Sequence, residues 1–328
     1  MTRPRFRKIL LVQTAFLGDV ILATSLVEKL SRFYPEARLD FLLRKGNEGV
    51  LDTDTRIGKL WVWNKKKDKY RNLFRLIGQI RKEKYDLVVN MQRFGATGLL
   101  TALSGGKIRT GFDKNPFSIF FTYRVRHEFR EHEIDRNLLL VERFTDGQRQ
   151  KPRLLPLPAH YERTKPLKTD PYICVAPASV WFTKQYPLEL WAAFLNGITR
   201  PLKVYFVGAP SDDALVKKII SEVYNPQLEC HNLAGRLNIQ ETATLMQDAV
   251  MNYTNDSAPL HIASAMNAPV SAFFCSTLPE FGFGPLSDDS HIFEIREKLY
   301  CRPCTLHGKS ACPEGHFRCA TGIRPVFP

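Results

Sequence analysis

No run of about 18 consecutive apolar residues occurs in the 328-residue sequence, so no segment is built to cross a bilayer as a helix. The first apolar strand is not followed by a G-x-G-x-x-G turn. The stretch KILLVQTAFLGDVILATSLVEKL, residues 8–30, offers one glycine, Gly18, where several would let bare backbone N–H groups close on a pyrophosphate. That absence argues against a nicotinamide oxidoreductase. Helix-turn-helix, zinc-finger and RNP-type patterns are missing too, so a nucleic-acid partner is not expected. Seven cysteines, with Cys174, Cys230 and Cys275 scattered, do not form a secreted disulfide framework. The basic and then apolar opening MTRPRFRKILLV is cut short by Gln13 and Asp19 before it could serve as a signal peptide. The expected location is cytoplasmic.

Acidic excess is also lacking, and the basic excess is one-sided. Residues 1–150 hold 30 Lys and Arg against 17 Asp and Glu, whereas residues 151–328 hold 17 against 16, within a formal net charge of +14. A basic field confined to one half implies an anionic partner for that half, an acidic membrane surface or a polyanionic substrate, unless it serves solubility alone.

Apolar strands alternate with helix-period segments along the whole chain, the pattern of parallel sheets covered by helices. Strands are predicted at residues 9–13, 39–43, 59–62 and 87–90, with helices at 20–32 and 70–83. Residues 146–171 concentrate proline and charge and read as a linker. A second series then opens with YICVAPAS and the helix PLELWAAFLNGI, Pro187 suiting a first helical position. We therefore expect an α/β protein of two doubly wound domains, residues 1–160 and 161–328. Ligands of such sheets bind at the C-terminal ends of the strands, in a cleft that facing domains would share.

Three places could carry chemistry. Asp19 at the mouth of the first helix either stabilises the helix dipole or serves as a general base, ionised at neutral pH and repelling any phosphate from that turn. Thr183 and Lys184, just before a helix, combine a hydroxyl, an ammonium and free N–H groups suited to a diphosphate. In TNDSAPLHIASAMNAP, Asn255, Asp256 and Ser257 are three capping residues in a row, one more than a cap requires, and His261 follows one turn into the helix.

The opening LLVQTAFLGDVILATSLVEKL, the lysine of FTKQYPLELW, the turn NDSAPLHIASAMNAPV, the later FGPLS, and GGKIRTGFD with HEIDRNLLLVERF in the first half together resemble glycosyltransferase family 9, the lipopolysaccharide heptosyltransferases. The resemblance implies a GT-B fold, two Rossmann-like domains facing a central cleft, with the acceptor on the N-terminal domain and the nucleotide sugar on the C-terminal one. It implies inverting, metal-independent transfer of heptose from ADP-L-glycero-D-manno-heptose to the inner core of lipopolysaccharide, with no cofactor. Asp19 matches the catalytic base. Thr183, Lys184, Asp256, Ser257, Ala258 and His261 match the donor site. Arg93, Arg109, Arg124 and Arg126 are the candidates for the anionic acceptor, alongside Lys107, His127 and Arg130. Peripheral contact with the cytoplasmic face of the inner membrane follows, and Phe117, Phe120, Phe121 and Tyr123 are interleaved with this charge.

Other readings remain. The fold could serve a relative using another nucleotide sugar or acceptor, or a non-catalytic binder of nucleotide sugars or anionic lipid, which predicts loss of the base. The tail CRPCTLHGKSACPEGHFRC places Cys301, Cys304, Cys312 and Cys319 near His307 and His316, compatible with a structural zinc, local disulfides or a reduced cluster. The D-x-D of Asp52 and Asp54 reads as a polar loop.

Overall fold

The computed structural model describes residues 4–327. The chain divides into two compact units between Leu155 and Pro156. In the first, the strands are β1 (Lys8–Val12), β2 (Arg38–Arg44), β3 (Ile57–Trp63), β4 (Leu87–Asn90), β5 (Ile108–Phe112) and β6 (Tyr123–Val125), and the helices α1 (Leu17–Phe33), α2 (Lys69–Glu83), α3 (Gly95–Leu103) and α4 (Glu133–Glu142). The second holds β7 (Tyr172–Ala176), β8 (Leu202–Phe206), β9 (Leu228–Asn232), β10 (Met251–Asn255), β11 (Val270–Phe274) and β12 (Ser290–Glu294). Its helices are α5 (Pro158–Thr164), α6 (Leu188–Asn196), α7 (Asp213–Ser221), α8 (Ile239–Gln247), α9 (Ala258–Met266) and α10 (Arg318–Thr321).

Both sheets are wholly parallel and share one topology. The first runs β3-β2-β1-β4-β5-β6 and the second β12-β11-β10-β7-β8-β9, which is the same order entered from the other edge. This is the doubly wound arrangement, whose strand order reverses once, between β1 and β4 in one unit and between β7 and β10 in the other. The central strands are apolar on both faces because helices cover both: β1, β4 and β7 read as continuous buried runs rather than alternating ones.

In the first unit Leu10, Val12, Trp61, Trp63 and Val88 pack against the apolar stripe of α2, Leu73, Leu76, Ile77 and Ile80. The outer face of α2 stays exposed and basic, with Lys69, Arg71, Arg75, Arg81 and Lys82. In the second unit Trp191 and Leu195 of α6 and Val216 and Ile219 of α7 close over Ile173, Val175, Val204 and Phe206. Helix α1 begins at Leu17, three residues earlier than the hydrophobic period suggests, so Asp19 stands inside its first turn. Pro187 caps α6 from outside the helix instead of opening it.

Candidate active site

In each unit the loops at the strand-order reversal carry the polar residues singled out by sequence. Strand β1 delivers its chain to the C-terminal edge of the sheet, where Gln13 and Thr14 are buried and Thr14 donates through Oγ1 to Gln92 Oε1 at 2.6 Å, joining the loops after β1 and β4. Lys65, beyond β3, donates to the Thr14 carbonyl at 2.6 Å. Burial, with Arg44 and Lys69 nearby, draws the Lys65 ammonium down to about 8. The half-buried Asp19 accepts the Phe16 N–H through Oδ2 at 3.1 Å. A cavity of about 480 Å³ in the same unit lies where the chain leaves β3 and β4, between α2 and α3, lined among others by Trp63, Lys65, Lys69, Tyr70, Gln92 and Phe94.

The arginines separate into two groups. Arg93 follows β4 at the C-terminal edge and acts, with Arg136, on His127, whose imidazole is pushed down to about 4 chiefly by burial and then by these two cations. Arg136 is buried and doubly bonded to Glu133 Oε2, at 3.0 and 2.6 Å. Arg124 on the edge strand β6 and Arg126 just past it are exposed, the latter paired with Glu128 at 2.8 Å. Arg109 sits early in β5 and spends its guanidinium on the carbonyls of Phe120 and Gly106, at 3.1 and 3.3 Å, which is a loop-holding role. Of the aromatic run, Phe121 is core, Phe117 and Tyr123 are half-buried, and Phe120 is exposed together with its neighbour Ile119. Exposed Tyr70, Phe74 and Phe94, which the sequence reading passed over, belong to the same unit.

In the second unit the residues after β7 and after β10 come together. Lys184, at the end of a short 3-10 turn (Phe182–Lys184), pairs through Nζ with Asp256 Oδ2 at 2.6 Å. Thr277, past β11, donates from Oγ1 to that same oxygen at 2.7 Å. Asp256 is buried, Lys184 keeps 15% of its side chain exposed, and the ammonium has N–H donors beyond the one given to Asp256. Ser257 is the N-cap residue of α9 but makes no side-chain cap bond. Its Oγ approaches the Asn255 carbonyl at 3.4 Å. Ala258 and Pro259 open α9, and buried His261 lies beside Phe283, at a ring separation of 6.1 Å.

The run of three capping residue types does not serve as a cap. Asn255 ends β10, accepts the Tyr186 N–H at 2.9 Å and donates to the Pro177 carbonyl at 2.7 Å, stitching β10 to the chain after β7. Asp256 is engaged by a cation and a hydroxyl. None of the three side chains bonds the first turn of α9 in the manner of a cap.

The other polar motifs resolve simply. Asp54 receives the Arg56 guanidinium through both oxygens, at 2.8 and 2.7 Å, so half of the D-x-D is committed to its own loop. All four tail cysteines are free thiols, and among the described residues no three His, Cys, Asp or Glu side chains are arranged to hold a metal ion. Sequence reasoning missed Thr277 and Arg302. Thr277 lies outside any recognisable pattern, and Arg302 is hidden inside a C-x-x-C that draws attention to its sulfurs.

The profile of glycosyltransferase family 9 (heptosyltransferase) matches residues 73–313, most of the chain and both switch-point loops of the second unit. The chain belongs to that family. Among characterised relatives, lipopolysaccharide heptosyltransferase 3 of Escherichia coli is 26% identical over 279 residues, covering 80% of this chain and 82% of the relative. The solved structure of E. coli ADP-heptose lipopolysaccharide heptosyltransferase II superposes with a TM-score of 0.77 at 19% identity, over 90% of this chain and 95% of that one. A glycosyltransferase of family 9 from Veillonella parvula gives 0.77 at 21% identity, over 88% and 87%. The architecture is thus GT-B, two Rossmann-like α/β units, and this family 9 member is a glycosyltransferase.

Proposed function

We propose that this family 9 glycosyltransferase moves heptose from ADP-heptose to the inner core of lipopolysaccharide, with the donor on the second unit and the acceptor on the first. One observation carries the reading: the equivalent loops after β1 and after β7, the first strand of each unit, lead to a carboxylate, Asp19, in one and to a lysine, Lys184, in the other. A turn with a carboxylate suits a sugar hydroxyl, and a turn with a lysine suits a diphosphate. Two of the relatives named above, both from E. coli, are heptosyltransferases of lipopolysaccharide, which points the same way.

In the proposed reaction Asp19 takes the proton of the acceptor hydroxyl and that oxygen attacks the anomeric carbon from the face opposite the phosphate. The bond to ADP breaks, the configuration inverts, and the leaving charge is met by Lys184 and by the N–H groups at the start of α9. Thr183, Ser257, Ala258 and His261 complete the donor wall. Arg93, with His127 and Arg136 behind it, receives acceptor carboxylate or phosphate, while Arg124 and Arg126 extend the basic field along the edge strand. Arg109 contributes by holding the Phe120 loop. Peripheral contact with an anionic leaflet is part of the proposal, through exposed Ile119 and Phe120 and the surrounding cations.

Incubating the purified protein with ADP-heptose and a series of truncated lipopolysaccharide acceptors, with mass spectrometry of the products, tests the reading. One acceptor gaining the mass of a single heptose supports it. Transfer from a different nucleotide sugar alone, or to none of the acceptors, rejects it.

A further inference from the structure

The strap of chain from Arg302 to Lys309 is woven into the wall behind Lys184. Arg302, whose side chain is 9% exposed, donates from Nε to the Cys275 carbonyl at 2.8 Å and from Nη2 to the carbonyls of Phe274 and Thr277 at 3.1 and 2.9 Å, while Glu294 balances its charge at 2.6 Å. One guanidinium therefore fixes the last residue of β11 and the turn after it, at three points in all. The Cys304 N–H adds a bond to the Ser276 carbonyl at 3.1 Å.

That turn in turn holds the donor lysine from two sides. Thr277 donates to Asp256 Oδ2, the oxygen that pairs with Lys184. Ser276 donates to Thr183 Oγ1 at 3.0 Å, the Lys309 N–H donates to the same hydroxyl oxygen at 2.8 Å, and the Thr183 N–H returns a bond to the Lys309 carbonyl at 3.1 Å. Gly308 has a φ of +85°, and a Cβ there would stand 2.9 Å from Lys184 Cγ and 3.0 Å from Trp181 Cβ, so the bare backbone of the strap touches the lysine stem. Asp256, Thr183, Ser276 and Thr277 are all buried, where a hydrogen bond to a charged group is stronger and its geometry tighter than in water.

We infer that Thr277 and Arg302 are positioning residues for donor binding: Arg302 sets the turn after β11, Thr277 fixes the Asp256 carboxylate, and the carboxylate aims the Lys184 ammonium. The inference rests on the donor role of Lys184 proposed above. A carboxylate held by the lysine alone can turn with it. The Thr277 hydroxyl fixes the carboxylate, so the ammonium paired with it is better placed before the diphosphate arrives and the ordering cost at binding is lower.

The test is calorimetric titration with ADP on full-length Thr277→Val, Thr277→Ser, Lys184→Ala and the Thr277→Val/Lys184→Ala double variant, alongside melting curves and the KM for ADP-heptose and for acceptor. Thr277→Val should weaken ADP binding by about 10-fold and raise the donor KM while the acceptor KM stays put. Thr277→Ser, which keeps the hydroxyl, should restore it. In the Lys184→Ala background the valine should add almost nothing, because the hydroxyl acts through the lysine. Arg302→Lys keeps the charge but loses the fork, and should reproduce the donor defect. Unchanged ADP affinity in Lys184→Ala overturns the donor assignment and this inference with it. A weakened Lys184→Ala together with an unaffected Thr277→Val, a failure of serine to rescue, or losses that multiply in the double variant overturn the positioning role alone.

Discussion

Asp19 can be a helix-capping acid or a base, and the geometry sharpens the choice between them. Its Oδ2 already accepts the Phe16 N–H at 3.1 Å, a bond that the Oδ1 of asparagine would reproduce. Asp19→Asn therefore keeps this bond and removes the charge. We predict a variant that melts like the parent and binds ADP unchanged but transfers heptose about 100-fold or more slowly. Near-normal turnover would return Asp19 to a purely structural role. His127 gives a second prediction at this scale. With its imidazole pushed down to about 4 by burial and by Arg93 and Arg136, it should stay neutral from pH 8 to pH 5 and contribute no charge to acceptor binding there. The folded state then binds fewer protons than the unfolded chain, whose histidines titrate near 6.5, so His127 withdraws stability as pH falls from about 6.5 toward 4. Nuclear magnetic resonance of the ring protons would show the missing titration, and a midpoint near 6.5 would contradict it.

Elements are held to one another by a few buried polar links as well as by apolar packing. Asp40 in β2 is fully buried; it takes both arms of Arg38, at 2.8 and 2.9 Å, and the Tyr85 hydroxyl, which also accepts the Trp61 indole N–H from β3 at 2.8 Å. One phenol thus joins β2 and β3 to the segment entering β4. Tyr85→Phe would leave the indole N–H without this acceptor and deprive the carboxylate of a donor, at a cost of about 1–3 kcal/mol. Urea unfolding should show a lower midpoint at unchanged slope, and an unmoved midpoint would mean that water replaces the hydroxyl. Strand and helix identities were legible in the sequence because buried parallel strands are short apolar runs and α2 carries a clean 3.6-residue stripe. Helix starts were less so. The first turn of α1 contains Gly18 and an acid, residues that local preference assigns to the preceding loop.

At the scale of the molecule the dominant feature is charge, which the first 150 residues carry almost alone. Much of it is exposed: Lys107 lies 2.7 Å from Asp86 with its side chain largely in solvent, and Arg126 is more open still. Such pairs contribute little to stability but sum to a long-range field. Screening over about 8 Å at physiological ionic strength, and about 3 Å at 1 M, means that this field weakens as salt rises. We predict that co-sedimentation with anionic vesicles, and turnover on membrane-anchored acceptor, fall steeply between low and high salt, while affinity for ADP, proposed to bind the near-neutral second unit, changes far less. Vesicle binding indifferent to salt and to lipid charge would assign the basic excess to solubility.

The sequence by itself determined the alternation of strand and helix, hence two parallel sheets, and the division of charge between the halves. It also determined the motifs shared with family 9. Each of these is local or additive: a period, a count or a contiguous string. Tertiary structure alone decided what Asp256 does. Read along the chain it is the middle of three capping residues, yet the fold gives it Lys184 from the loop after β7 and Thr277 from the loop after β11. The same holds for Arg302, which sits among cysteines in sequence but among the carbonyls of Phe274, Cys275 and Thr277 in space. The physical reason is that a parallel sheet brings strand ends together only through long crossover connections, so neighbours at its C-terminal edge are remote in sequence and leave no spacing to read.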